Sequence, residues 1–345
     1  MAGRPPSRAP RPGHPASRIL MSSLPPPRPE PDSCAVFLAA SPAAGWRRAA
    51  LAGDASGRRY ERLHGPDGRT AVLMDSRAEP ASLAPFLRIG AHLRALGLHA
   101  PAILAEAPGL LLLEDLGPTH MAAWLADHPD DSPMLYGTAV DVLLRLQSAP
   151  APDGLVALTP LRAAGMISPL WEHYLPGLDP RRAGELSGRL REALERHAPE
   201  ATVLSLRDYH AENLVWRGDR EGIDRLGLLD FQDAVMAPPE YDLASLLRDA
   251  RRDMDAALRT AMIRRFAEGT GRDEARVAAA TAVLGLQRNL RILGVFARLA
   301  RERGKPAYLA LLPRVRAHVE GDLAHPALAR LAPLVRDALS SGAVS

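Results

Sequence analysis

One lysine, one cysteine and no apolar run long enough to cross a bilayer are the first shortages in this chain. Lys305 is the only lysine among 345 residues, and arginine carries the rest of the positive charge. A Walker phosphate loop needs a lysine behind a glycine-rich turn. No glycine stands five residues before Gly304, so that motif is excluded. The single cysteine, Cys34, cannot form an intrachain disulfide, which fits a reducing cytoplasm. No Cys/His cluster suggests zinc, and no Gly-x-Ser-x-Gly suggests a hydrolase. Apolar runs fall short of the roughly eighteen residues a membrane span requires, so no membrane partner is expected. Residues 1–30 lack the apolar heart of a secretory leader; nine of the 32 prolines fall there, and a disordered tail is expected.

Charge of one sign is also missing once position is considered. The sequence pI is about 9.3. Five arginines against one glutamate in residues 1–30 account for that, while the other 315 residues hold 38 basic and 39 acidic side chains. No basic face remains to track phosphates, so no nucleic-acid partner is expected. Hydrophobic residues at 47% and charged residues at 24% describe an ordinary soluble protein, large enough for two lobes.

The pattern along the chain predicts a helix near Ser41–Arg48, with Ser41-Pro42 as its cap. Strands are predicted at Ala49–Gly53, Arg59–His64 and Thr70–Asp75. Their separators are a glycine- and serine-containing turn at residues 53–57 and the hairpin chemistry of Gly65-Pro66-Asp67-Gly68. The first separator suits either a backbone cradle for phosphate or an ordinary turn. A helix over Ala81–Leu96 follows, then strands Ala102–Glu106 and Leu110–Glu114. Glu114-Asp115-Leu116-Gly117 is favoured as a hinge for an adenine edge over a plain strand-to-helix turn. Helices then dominate, at Ser132–Leu146, Met254–Thr270, Glu274–Arg303 and in the tail Ala307–Ala338. Trp171 and Tyr174 flank an acid and suit equally a sugar-ring wall or a core. Asp242 reads as a structural N-cap, and Gln287, Arg288, Asn289 and Arg291 read by default as a solvated face.

The chemistry is concentrated in two stretches. Leu204–Leu214 carries Asp208 and, five residues later, Asn213; Leu226–Asp233 is an apolar run ending in Asp230-Phe231. Phosphoryl transfer needs one acid to take a hydroxyl proton, with an amide and a second acid to hold Mg²⁺ on nucleotide phosphates. The Asp-x-x-x-x-Asn spacing and the later Asp-Phe are those of kinase loops.

With Gly53-Asp54-Ala55-Ser56, Ala71–Asp75, Leu112–Gly117, Arg207–Leu214 and Leu229–Ala234, the chain resembles the aminoglycoside phosphotransferase (choline kinase-like) superfamily. Tyr241–Asp249 and Gln287–Leu299 are similar to a narrower group, the bacterial N-acetylmuramate/N-acetylglucosamine anomeric kinases of cell-wall recycling. The resemblance spans about residues 49–319. It implies an α+β, bilobal protein kinase-like fold, with a small antiparallel-sheet N-lobe at residues 31–116 and a large helical C-lobe at 117–345. The implied activity is ATP- and Mg²⁺-dependent phosphorylation of an amino sugar by a monomeric cytoplasmic enzyme. Asp208 is then the catalytic acid-base residue, and Asn213 and Asp230 are the metal ligands. Ser56, Arg58, Arg59, Glu114 and Leu116 are the nucleotide-side candidates. Arg207, His210, Asp233, Trp171, Tyr174 and Arg288 are those on the acceptor side. Three positions depart from the kinase pattern: Met74 stands near the usual strand lysine, Leu206 replaces histidine and Gln232 replaces glycine. Arg58 or Arg59 is the expected substitute for the lysine, since a guanidinium binds phosphate bidentately. Other small alcohols as acceptor (choline, homoserine, an aminoglycoside) and a nucleotide-binding pseudokinase are the competing readings.

Overall fold

The computed structural model describes residues 32–51 and 57–340; the expected tail and the Ser56 site lie outside the described residues. The chain runs α1 (Ser33–Ala39), β1 (Arg47–Ala50), β2 (Arg59–His64), β3 (Thr70–Asp75), α2 (Leu83–Ala95), β4 (Ile103–Ala107) and β5 (Leu110–Glu114). It continues through α3 (Met121–Asp127), α4 (Ser132–Leu146), α5 (Pro160–Gly165), α6 (Pro180–His197), β6 (Val203–Ser205), β7 (Leu214–Trp216), β8 (Leu226–Leu228) and β9 (Val235–Ala237). The helices α7 (Tyr241–Leu247), α8 (Ala256–Thr270), α9 (Glu274–Glu302), α10 (Leu312–Leu323) and α11 (Ala332–Ser340) complete it.

Strands β1–β5 form one antiparallel sheet in the order β1-β2-β3-β5-β4. Side chains alternate between the faces of a strand, and here both faces are covered. Leu63, Ala71, Leu73, Leu110 and Leu112 pack with Cys34 and Leu38 of α1. Met74, Leu111 and Leu113 pack instead with Phe86, Ile89 and Leu93 of α2. Two-sided burial explains why β5 is an unbroken leucine run. Met74, with no exposed surface, is a core residue rather than a lysine surrogate.

The predicted helix at Ser41–Arg48 is not formed. Ser41 closes a turn by accepting the Ala43 N–H, and Gly45 at φ 78° redirects the chain. Arg47 and Arg48 enter β1 instead, where Arg48 pairs with Glu61 of β2 at 2.6 Å. The helix lies upstream, as α1, capped by the Asp32 carboxylate on the Cys34 N–H.

The helical remainder is built around α9, 29 residues long. Its residues Gln287, Arg288 and Asn289 are 0, 9 and 0% exposed, overturning the solvated-face expectation. Interior partners satisfy their nitrogens, while the Gln287 and Asn289 amide oxygens stay unpaired among the described residues: Gln287 donates to the Ala163 carbonyl, Asn289 to Asp322 and Arg288 to the Arg207 carbonyl. Gly294 lets α9 approach a π-type turn at Leu170–Tyr174, where an added Cβ would lie 2.0 Å from Pro169 backbone. Among the described residues no helix is long and apolar enough to cross a membrane.

Candidate active site

Asp208 and Asp230, 22 positions apart, meet through a small hairpin. The loop after β6 carries Asp208 and Asn213, β7 leaves it, and β8 returns antiparallel with Leu228 opposite Leu214. The Leu229 N–H then donates to the Asn213 carbonyl at 3.0 Å, setting Asp230 beside the loop. Arg207 (φ 69°) and Asp230 (φ 56°) are the two non-glycine residues with left-handed backbone among those described. Such strain persists only where the surroundings hold it.

Those surroundings are identifiable. Asp242, on α7, is not the N-cap expected, because Glu240 occupies that position. Its buried carboxylate instead accepts the Ser205 hydroxyl at 2.7 Å, the Leu206 N–H at 2.7 Å and the Arg207 N–H at 3.0 Å. Burial pushes the Asp242 carboxyl up, and these three donors oppose that shift. The Tyr209 hydroxyl donates to the Ala139 carbonyl of α4 at 2.8 Å. Arg288 closes the network: it donates to the Arg207 carbonyl at 2.7 Å and the Ser245 hydroxyl at 2.6 Å, lies over the Tyr241 ring, and sits 3.9 Å from an Asp208 carboxylate oxygen. Its donors are directed at the protein, so Arg288 positions the loop.

Asp208, Asn213 and Asp230 open into one cavity of about 740 Å³. The Asp208 carboxylate is 43% exposed and faces it. Asn213 spends its amide nitrogen on the Asp208 carbonyl at 2.9 Å, leaving Oδ1 without a donor among the described residues. Asp230 Oδ1 accepts from Gln232 at 2.8 Å and Arg58 at 3.3 Å, while its Oδ2 takes no such bond. Two free hard oxygens suit a divalent cation that keeps water and phosphate ligands, as Mg²⁺ does. No cluster of three or more His, Cys, Asp or Glu forms a metal cage among the described residues.

The two arginine candidates separate cleanly. Arg59 has a side chain 79% exposed and pairs with Asp75, away from the cavity. Arg58 is 7% exposed, 3.3 Å from Asp230 and 3.8 Å from Glu79. Its Nε is buried, makes no hydrogen bond with a described residue and faces the Glu79 carboxylate, and Arg58 itself is not among the residues lining the cavity. Glu79, just ahead of α2, also accepts the Gly57 N–H at 2.6 Å; nothing local in the sequence singled it out. The Phe231 ring stacks on Phe86 of α2, centroids 4.9 Å apart, tying the Asp230 loop to the sheet lobe.

Other candidates are distributed unevenly. His210 lines the cavity, its Nδ1 buried without a partner and its pKa lowered by burial. Trp171 and Tyr174 do not line it; they pack in the core cluster of α6, α9 and α10, Tyr174 at 2% exposure. Asp233 is exposed, and its carbonyl receives the Arg207 side chain; neither residue lines the cavity. At the end of the interior strand β5, Glu114 is engaged by His99 at 2.9 Å and by the Ala102 N–H, which hold its carboxyl below the usual range. Leu116 is buried against Gly227, and its main-chain groups bond to no described residue.

Residues 48–280 match the phosphotransferase enzyme family. The chain is 36% identical to the N-acetylmuramate/N-acetylglucosamine kinase of Caulobacter vibrioides, across 86% of this chain and 93% of that one. A choline/ethanolamine kinase family protein from Mesorhizobium loti superposes with TM-score 0.60 at 18% identity, covering 89% of this chain and 99% of that one. The GDP complex of an aminoglycoside 2'-phosphotransferase gives 0.60 at 15%, covering 84% and 98%. The structural likenesses show the α+β, two-lobed protein kinase-like fold. With the sheet, the strained loops and the convergent Asp208, Asn213 and Asp230 in place, the chain belongs to the phosphotransferase enzyme family.

Proposed function

We propose that the protein is an ATP- and Mg²⁺-dependent kinase that phosphorylates the anomeric hydroxyl of N-acetylmuramate, N-acetylglucosamine or both, serving peptidoglycan recycling. The observation carrying this reading is the convergence of Asp208, Asn213 and Asp230 on one cavity whose other walls bring together four arginines, Glu212, Asp249 and an apolar stripe. Asp208 orients the sugar hydroxyl and takes its proton. An anomeric hydroxyl is more acidic than a simple alcohol, so a carboxylate of modest basicity suffices. Asn213 Oδ1 and Asp230 Oδ2 would hold Mg²⁺, which when bound would neutralise charge on the phosphate oxygens. Arg58 takes the role of the missing strand lysine, its guanidinium held between Glu79 and Asp230 beside the Mg²⁺-binding candidate. The main-chain groups of Leu116 are free to meet the adenine edge. Most of the rate enhancement is positioning and charge neutralisation.

A cationic acceptor such as choline would want an acidic or aromatic cage. Trp171 and Tyr174, the sequence candidates for one, lie outside the cavity, where Glu212 and Asp249 stand among four arginines, Arg248, Arg251, Arg288 and Arg291. Incubation with Mg²⁺-ATP and each acceptor, followed by phosphorus NMR, is the test. A sugar 1-phosphate is expected. Phosphocholine with no sugar phosphate would overturn the assignment.

A further inference from the structure

The acceptor end of the cavity is lined by one stripe of α9: Arg288, Arg291, Ile292, Val295, Phe296 and Leu299. Spacings of three and four residues put them on a single helix face. The stripe is cationic at its Asp208 end and apolar at the other.

The cations along this cavity are not equivalent. Arg248 is locked to Asp322 through a buried ion pair. Arg288 is consumed by the Arg207 carbonyl and the Ser245 hydroxyl. Arg251 gives its backbone N–H to the Asp249 carboxylate at 2.9 Å and lies on the His210 side of the cavity, off the α9 stripe; its guanidinium bonds to no described residue. Arg291 is half-buried, one turn beyond Arg288, and makes no hydrogen bond or ion pair with any described residue. Burial and the neighbouring Arg207 and Arg288 depress its pKa, which is the cost a bound anion would relieve. A cation kept there without a protein partner is suited to a ligand carboxylate.

We propose that Arg291 is the carboxylate-recognition residue of the acceptor site, selecting an acidic sugar over its neutral counterpart. This deepens, and rests on, the amino-sugar kinase reading above. In N-acetylmuramate the lactyl ether at C3 carries a carboxylate and a methyl group, two ring carbons from the reacting hydroxyl. With that hydroxyl at Asp208, the carboxylate meets Arg291, and the lactyl and acetyl methyls meet Ile292 and Val295. N-acetylglucosamine offers no carboxylate, so it gains only the shared contacts.

The test compares kcat/KM for N-acetylmuramate, its lactyl amide and N-acetylglucosamine in wild type, Arg291→Gln and Arg291→Lys. In Arg291→Gln the ratio of N-acetylmuramate to N-acetylglucosamine turnover should fall about 10- to 100-fold, mostly through KM, as expected for losing a charged hydrogen-bond pair. Arg291→Lys should recover part of that ratio. Wild type should favour the acid over its amide, and Arg291→Gln should not. N-acetylglucosamine turnover serves as the folding control for each variant. An unchanged ratio in Arg291→Gln, with both sugars slowed equally, would overturn the carboxylate role. Wild type that phosphorylates neither sugar overturns the kinase reading itself, and this inference with it.

Discussion

At the scale of single residues, the site is a division of labour among groups that look alike in sequence. Asp208 faces the cavity, whereas Asp242 is buried and spends both oxygens on the backbone of the same loop. Asp208→Asn should leave Mg²⁺-ATP affinity nearly intact in calorimetry while lowering kcat by about 10²- to 10⁴-fold. Unaltered turnover would show the base misassigned. His318 tests a different residue property. Burial, with Arg248 and Arg314 nearby, lowers its pKa from 6.5 to about 4, with Asp253 and Asp249 opposing. The folded protein therefore keeps it neutral to about pH 4, while the unfolded chain takes a proton below about pH 6.5. Its contribution is full above pH 6.5 and lost as pH falls toward 4. After solvent screening the loss is about 2 kcal/mol. Urea titrations at pH 7 and pH 4.5 should show a smaller pH-dependent loss in His318→Gln than in wild type.

At the scale of elements, close approach decides more than propensity. The α9 helix reaches the Leu170–Tyr174 turn because Gly294 has no side chain there. Gly294→Ala would gain intrinsic helix propensity yet force backbone apart, so it should destabilise by about 2–3 kcal/mol, read as a lower urea midpoint. Stabilisation would show that the turn yields freely. Strands β2, β3 and β5 were legible to the residue because alternation, turn chemistry and a two-sided leucine run agree there. The segment at Ser41–Arg48 misled because a local Ser-Pro cap signal lost to pairing of β1 with β2, a partner that periodicity cannot see.

At the scale of the whole molecule, the sheet lobe and the helical remainder share one apolar cluster and several hydrogen bonds, and two of the links flank the catalytic loops. Arg58 from the sheet lobe reaches Asp230 in the helical lobe across 172 positions, and Phe86 stacks on Phe231 beside it. A nucleotide binding across those links stabilises the folded state by mass action. At a hundredfold excess over Kd, Mg²⁺-ATP should raise Tm by about 5 °C. Arg58→Ala should abolish most of that rise and increase the KM for ATP, with Arg58→Lys intermediate. A full shift in Arg58→Ala would place the phosphate anchor elsewhere.

The sequence by itself determined the catalytic spacing, most of the sheet and the helical bulk, because those depend on neighbours a few positions apart. Only tertiary structure decided which of two adjacent arginines reaches Asp230 and that Trp171 and Tyr174 belong to the core. It also decided that Arg288 binds the protein while Arg291, three residues on, is left for a ligand. Such assignments depend on what each side chain meets across folded distance: strand register turned Arg59 outward, and helix packing gave Arg288 its carbonyl.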